Sequence, residues 1–149
     1  QPHPWNRSCR QPGYNFRMTE AQAALGISQL RRLPEFIAKR HELASHYNDR
    51  FRGTGVVPVH DGSCQYQMYL VLVHSSKRDA AVYAMRDQGI EVSVHYDPPL
   101  HRQEAFAGIG RMDVEMTDVA SAIVMTLPRY PTLSHNQVDV VCDLLLGLV

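Results

Sequence analysis

The sequence predicts an α+β fold, a small mixed or antiparallel sheet with helices packed on one face, preceded by long helices. Apolar residues recur at helical spacing from Ala24 to Phe51, and the period turns strand-like after Gly55. Beyond that point only one strand–helix–strand unit is visible, and short loops join several of the strands. That order favours a small sheet with helices on one face over a doubly wound parallel sheet. At 149 residues the chain is the size of one domain, or one domain plus a structured arm. The division expected is an extended arm over 1–18 and a domain over 19–149 that includes its long N-terminal helices.

Gln1 to Gly13 carries three prolines and no periodicity, which suits extended backbone. Thr19-Glu20-Ala21-Gln22 has capping-box spacing: Thr19 can accept from the backbone of Gln22, and Gln22 can reach back. Ala24, Leu25, Ile27, Leu30 and Leu33 then form an apolar stripe. Pro34 is expected to open a second helix, because it suits a first turn and cannot continue the hydrogen-bond ladder. Phe36, Ile37, Leu43, Ala44, Tyr47 and Phe51 mark one face of that helix, which stops at Gly53-Thr54-Gly55.

Val56 to Val59 reads as an edge strand, since Pro58 donates no ladder bond. Gln65 to His74 is β-branched and aromatic and reads as the central strand. Ser76-Lys77-Arg78-Asp79 caps a helix through Ala81, Val82 and Met85 that ends at Gly89. Ile90 to His95 alternates as another strand, broken by Asp97-Pro98-Pro99. A short helix spans 117–124, and Met125 to Pro128 leaves it extended. Ser134 to Gln137 repeats the capping-box pattern before a last amphipathic helix bearing Val138, Val141, Leu144, Leu145 and Leu148.

Lys+Arg and Asp+Glu balance at 15 each, which argues against nucleic acid or an anionic membrane as the main partner. No run of apolar residues is long enough to span a bilayer. Cys9, Cys64 and Cys142, odd in number and far apart, suit a reducing, cytoplasmic setting. A metal site is not expected. His41 and His46 lie five apart on a helix, and His95 and His101 flank a double proline with no ligand at metal spacing. No phosphate loop, dinucleotide fingerprint or nucleophile elbow is present.

Two segments invite chemistry. Gly13-Tyr14-Asn15-Phe16-Arg17-Met18 places an amide and a guanidinium just before a helix N-terminus, where free backbone amides favour anions. The same residues also suit an ordinary turn. Val94 to His101 carries polar aromatic groups out of a strand into a proline-stiffened loop. Such loops often bind ligands, and this one reads equally as a surface loop with two solvated histidines.

These segments carry a family resemblance. GYNFRMTEAQAALGISQLRRL, followed by Arg40 and Tyr47, resembles the opening of the C-terminal part of the DegT/DnrJ/EryC1/StrS aminotransferases. VHYDPPLHRQEAF and MTLPRYPTLSHNQVDVV are similar to its later segments, in order, and Trp5 lies where a family tryptophan is often found. The resemblance implies the C-terminal small domain of a fold-type-I, pyridoxal 5'-phosphate-dependent enzyme. It implies amination of a nucleotide-linked keto-sugar with glutamate as donor, by a homodimer or higher homo-oligomer.

The resemblance also implies roles for individual residues. Asn15 would reach the cofactor phosphate, that of the neighbouring subunit. Arg17 would support its loop or meet substrate phosphate, and His95 and Tyr96 would lie by the sugar-nucleotide pocket. The family's Schiff-base lysine lies upstream of the GYN motif. The only lysines here are Lys39, mid-helix beside Arg40, and Lys77, in a helix first turn, so no catalytic residue is expected in this chain. The chain thus reads as a fragment, inactive alone and not expected to bind the cofactor by itself. A sugar dehydratase relative and a non-catalytic binding or dimerisation module are the alternatives.

Overall fold

The computed structural model describes residues 14, 16–59, 63–106 and 114–149. The expected arm over 1–13, with Trp5 and Cys9, and the candidate Asn15 lie outside the described residues. The chain divides into two compact units, Gln1–Leu33 and Pro34–Val149.

Helix α1 runs from Glu20 to Phe51. Its capping box forms as expected: Gln22 N–H donates to Thr19 Oγ1 (3.3 Å), and Thr19 N–H donates to Gln22 Oε1 (2.9 Å). The expected break at Pro34 does not occur, and the two helices are one. Proline costs the ladder a single bond to the carbonyl four residues back, and its fixed φ is helical. The flanking turns, rich in good helix formers, carry the helix through.

The sheet is antiparallel, in the order β1 (Val57–Val59), β2 (Tyr69–Leu72), β3 (Val124–Leu127). Val57 pairs with Leu72, and Tyr69 with Leu127. The central strand is shorter than its apolar run. Tyr66 sits at φ 49°, in the left-handed region, which interrupts the extended backbone before Tyr69. At the other end Val73 N–H donates to Ile123 O, and His74 caps the next helix.

Helix α2 (Ser75–Asp87) is therefore capped by His74 Nδ1, which accepts from Ser76 N–H, two residues earlier than the sequence suggests. Gly89 follows it at φ 76°, a backbone that glycine alone adopts freely. The strand expected over Ile90–His95 reduces to one bridge, Ser93 with Thr126. Ile90 N–H is spent on Met85 O at the end of α2, and the prolines end pairing beyond His95. Met125 to Pro128, expected merely to be extended, falls largely in a full strand, Val124–Leu127, which also takes Val124 from the end of the expected helix. Helix α3 (Glu115–Ile123) leads into it, and α4 (His135–Leu148) closes the chain behind the capping box of Ser134 and Gln137.

Tyr69 and Val71 turn to one face of the sheet, where Leu43, Tyr47, Phe51, Met85, Val138 and Leu145 join them in a single core. Leu70 and Leu72, on the other face, are half-buried. Tyr47 stacks on Tyr69 with centroids 4.6 Å apart and donates to Pro128 O (2.9 Å). Burial pushes both hydroxyls well above the usual tyrosine range and the Cys142 thiol up to about 12.

A polar seam joins α1 to α4. Arg50 donates to Asp139 (2.7 Å) and to Asp143, His46 meets Asp139 (2.9 Å), and His135 meets Glu42 (2.8 Å). Arg50, paired with both Asp139 and Asp143, is the centre of this seam. Among the described residues no helix is long and apolar enough to cross a membrane.

Candidate functional site

The loop after the Ser93 bridge carries His95 and Tyr96, and it is fastened to three elements, β3, α2 and α3. His95 Nδ1 lies 2.7 Å from Thr126 Oγ1 on β3. Ser121 on α3 donates to Tyr96 O (2.8 Å). Asp97 accepts from Arg78 Nη2 on α2 (2.7 Å). His101 and Arg102 both bind Asp118 on α3, at 2.9 and 2.6 Å. The His95 and Tyr96 rings meet edge to face, 4.9 Å apart.

Arg78 is the deepest of these anchors, 3% exposed, and its Nη1 also donates to Val124 O (3.2 Å). Its Nε lies 2.6 Å from Asp79 Oδ1, a close ion pair whose angle does not make a hydrogen bond. Opposite charge and donated bonds from Arg102, then His101, hold the Asp118 carboxyl below the usual carboxylate range. A pocket of about 350 Å³ behind the loop is bounded by Arg78, Asp97, Arg102 and Asp118. Within this lining Arg78 pairs with Asp97 and Arg102 with Asp118.

On the other side a cavity of about 600 Å³ is bordered by Ser93, His95, Thr126, Arg129, Tyr130 and Gln137. His95 is half-buried at its rim, and Tyr96 beside it is 65% exposed. The pair is rigidly held and open to a ligand, which is what a binding edge requires. Such groups can orient a polar substrate and accept or release a proton, but they do not compose a nucleophile and its base.

The structure thus brings His95 and Tyr96 together. Arg17 is exposed in the first unit, just ahead of the Thr19 cap, and Asn15 lies outside the described residues. The sequence reading does not single out Arg78, Ser121 or Thr126. Arg78 left a signal, since it stands three, four and seven residues before the buried Ala81, Val82 and Met85, a charge in register with an apolar stripe. Ser121 and Thr126 left none, because their role depends on the tertiary position of the loop.

The profile described as the DegT/DnrJ/EryC1/StrS aminotransferase family matches residues 3–146. The chain belongs to this family. Over 143 residues it is 29% identical to a dTDP-3-amino-3,4,6-trideoxy-alpha-D-glucose transaminase from Micromonospora megalomicea subsp. nigra, covering 90% of this chain and 38% of that one. The PLP form of Spr1654, a putative sugar aminotransferase from Streptococcus pneumoniae, superposes with a TM-score of 0.82 at 25% identity. That match covers 97% of this chain and 38% of the other. Helicobacter pylori PseC, an aminotransferase involved in the biosynthesis of pseudoaminic acid, shares the fold with a TM-score of 0.84 at 22% identity. It covers 99% of this chain and 42% of its own. The chain therefore spans about two fifths of the relatives' length.

Family membership raises the question of pyridoxal phosphate, and the described residues do not fit it as a complete site. Lys39 is bound to Glu42 at 2.7 Å, Lys77 is exposed in the first turn of α2, and neither borders the cavity beside His95. No lysine stands ready to anchor the cofactor there, and no chemical step is derived through it.

Proposed function

We propose that this chain is the C-terminal part of a pyridoxal-phosphate-dependent aminotransferase that aminates a keto-sugar carried on a nucleotide, with glutamate as amino donor. In this reading residues 1–18 are an arm and 19–149 the C-terminal domain, in a cytoplasmic homodimer or higher homo-oligomer. The observation that carries the reading is the clamped loop, which holds His95 and Tyr96 rigidly at the rim of a cavity in a chain of this family.

The cofactor, when bound, supplies the electron sink for amino transfer. This chain's residues bind and orient. The Asn15 amide would donate to the cofactor phosphate of the neighbouring subunit, and the Arg17 guanidinium would meet substrate phosphate or brace that segment. His95, with Nδ1 engaged by Thr126, presents Nε2 to the sugar, and the exposed Tyr96 hydroxyl bonds a sugar or nucleotide oxygen. The cofactor-bearing lysine belongs to the portion that the relatives have in addition, so the chain alone is inactive.

The test is transfer of isotopically labelled nitrogen from glutamate to dTDP- or UDP-linked keto-sugars, by the protein extended to the length of its relatives. Labelled amino-sugar is expected, with KM for the sugar nucleotide raised roughly tenfold by Tyr96→Phe, the value of one hydrogen bond. Release of water from the sugar without nitrogen incorporation would contradict the reading.

A further inference from the structure

The alternation of Val92, Ser93, Val94 and His95 decides which way His95 turns. Val92 is buried and Val94 packs against the core, so Ser93 and His95 belong to the opposite face. Across the bridge Thr126 stands between the buried Met125 and Leu127 and turns to that same face. Two backbone bonds hold the pairing: Thr126 N–H donates to Ser93 O (2.7 Å), and Ser93 N–H donates to Thr126 O (3.2 Å). A side chain two residues along from a bridged pair is within diagonal reach of the partner strand. Register therefore brings the Thr126 hydroxyl to the His95 ring.

Two placements of the proton fit the 2.7 Å contact between Thr126 Oγ1 and His95 Nδ1. Either Nδ1–H donates to the hydroxyl oxygen, or the hydroxyl donates to a bare Nδ1. In the first, the hydroxyl proton has no acceptor, because Oγ1 has no other partner among the described residues. In the second the hydroxyl spends its one donor, and only lone pairs go unused, which is the cheaper omission. The distance agrees: N–H donors centre on about 2.9–3.0 Å, and hydroxyl donors on about 2.7–2.8 Å.

A neutral ring whose Nδ1 accepts carries its proton on Nε2. The Tyr96 ring, edge to face at 85°, braces the plane of the imidazole. Nε2 has no partner among the described residues, and His95 borders the cavity of about 600 Å³.

We propose that Thr126 is a positioning residue that sets the His95 tautomer, so that Nε2–H serves the cavity as a hydrogen-bond donor. The group it meets is an acceptor oxygen of the substrate, carbonyl or phosphoryl, and His95 takes no proton from it. This role toward substrate rests on the proposed function, whereas the tautomer belongs to the chain itself.

The experiment labels the histidine nitrogens of the 149-residue chain and reads them by proton–nitrogen correlation NMR. The pH is held at about 8, above the ordinary range in which imidazole is charged. His95 Nδ1 is expected at the shift of a bare nitrogen and Nε2 at that of a protonated one. Thr126→Val keeps the branched shape and removes the hydroxyl, so the two His95 shifts should converge as both tautomers become populated. Thr126→Ser, which keeps the hydroxyl, should restore their separation. The His41 signals should not move in either variant, and sharp Tyr47 and Tyr69 rings verify an intact core.

A proton on Nδ1 in the unaltered chain overturns the proposal, and so does Thr126→Val leaving both shifts in place. In the protein extended to its relatives' length, Thr126→Val should raise KM for the sugar nucleotide roughly two- to tenfold with kcat held, the value of one misdirected hydrogen bond. A fall in kcat at unchanged KM would mean that His95 moves a proton, and overturns the role assigned to it. Absence of nitrogen transfer by the unaltered extended protein counts against the proposed function alone, since the tautomer is read without substrate or cofactor.

Discussion

The two halves of α1 carry the same kind of apolar periodicity and meet opposite surroundings. In the second half Leu43, Ala44, Tyr47 and Phe51 are buried in the core of the second unit. In the first half Leu25 is 64% exposed and Leu30 67%, and Ile27 and Leu33 are exposed beside them. Tyr14, Phe16 and Met18, just before the helix, are exposed as well. A hydrophobic stripe says that a face is to be covered and does not say by what. The second half finds its cover within Pro34–Val149. On the proposed function the first half finds it in the part of the protein that the relatives possess and in the neighbouring subunit.

Truncation should separate the halves most sharply. Tyr47→Ala removes a fully buried ring, its stack on Tyr69 and its bond to Pro128 O, and should cost roughly 3–5 kcal/mol of stability. Leu30→Ala should lie within about 0.5 kcal/mol of the unaltered chain, the range of ordinary surface changes. Chemical denaturation of both variants checks this, and equal losses would mean that the first half is already covered.

Next in size is Arg78→Met, which strips Asp97 of its buried partner and should cost about 1–3 kcal/mol. It should also broaden the His95 and Tyr96 ring resonances in NMR while those of Tyr47 and Tyr69 stay sharp. Uniform broadening would mean that Arg78 supports the whole core and not the loop.

A weaker effect concerns association. The exposed stripe should make the chain self-associate at high concentration, and Leu25→Glu with Leu30→Glu should return it to monomer in sedimentation equilibrium. A monomer at every concentration, before any substitution, would contradict this.

The smallest effect is on pH. His46 first, then Arg50, hold the Asp139 carboxyl below the usual carboxylate range. Its folded value is depressed, so on acidification the unfolded chain takes up the proton first. The seam's contribution is present above about pH 4, the ordinary range of such a group, and is lost as pH falls through the folded value. The groups are partly exposed and the loss is modest. Melting curves from pH 6 to 2 should be flatter in that window for Asp139→Asn.

Local chemistry made much of this architecture legible in the sequence. Both capping boxes, the edge strand with Pro58 and the α2 terminus at Gly89 follow from residue types at fixed offsets. What was not legible depends on context. Pro34 reads as a boundary, yet a long helix with strong formers on both sides absorbs one lost bond. Ile90 to His95 alternates like a strand, yet the end of α2 and the double proline claim its ends. At the site, the motif resemblance pointed to His95 and Tyr96, whereas the clamp made by Arg78, Ser121, Thr126 and Asp118 draws on three separate elements. No one-dimensional spacing encodes that convergence.

On the proposed function the two regions would have different tasks, cofactor phosphate for the segment around Asn15 and the sugar nucleotide for the clamped loop. The most direct measurement is the pyridoxal phosphate dissociation constant of the protein extended to its relatives' length, comparing Asn15→Ala and Asn15→Asp with the unaltered form. Loss of a hydrogen bond to a dianion should weaken retention roughly ten- to hundred-fold in Asn15→Ala. Asn15→Asp, which keeps the size and adds a repelling charge, should be worse still, with melting temperatures unchanged. Retention by Asn15→Asp as tight as that of the unaltered protein would contradict the account and leave Asn15 a turn residue.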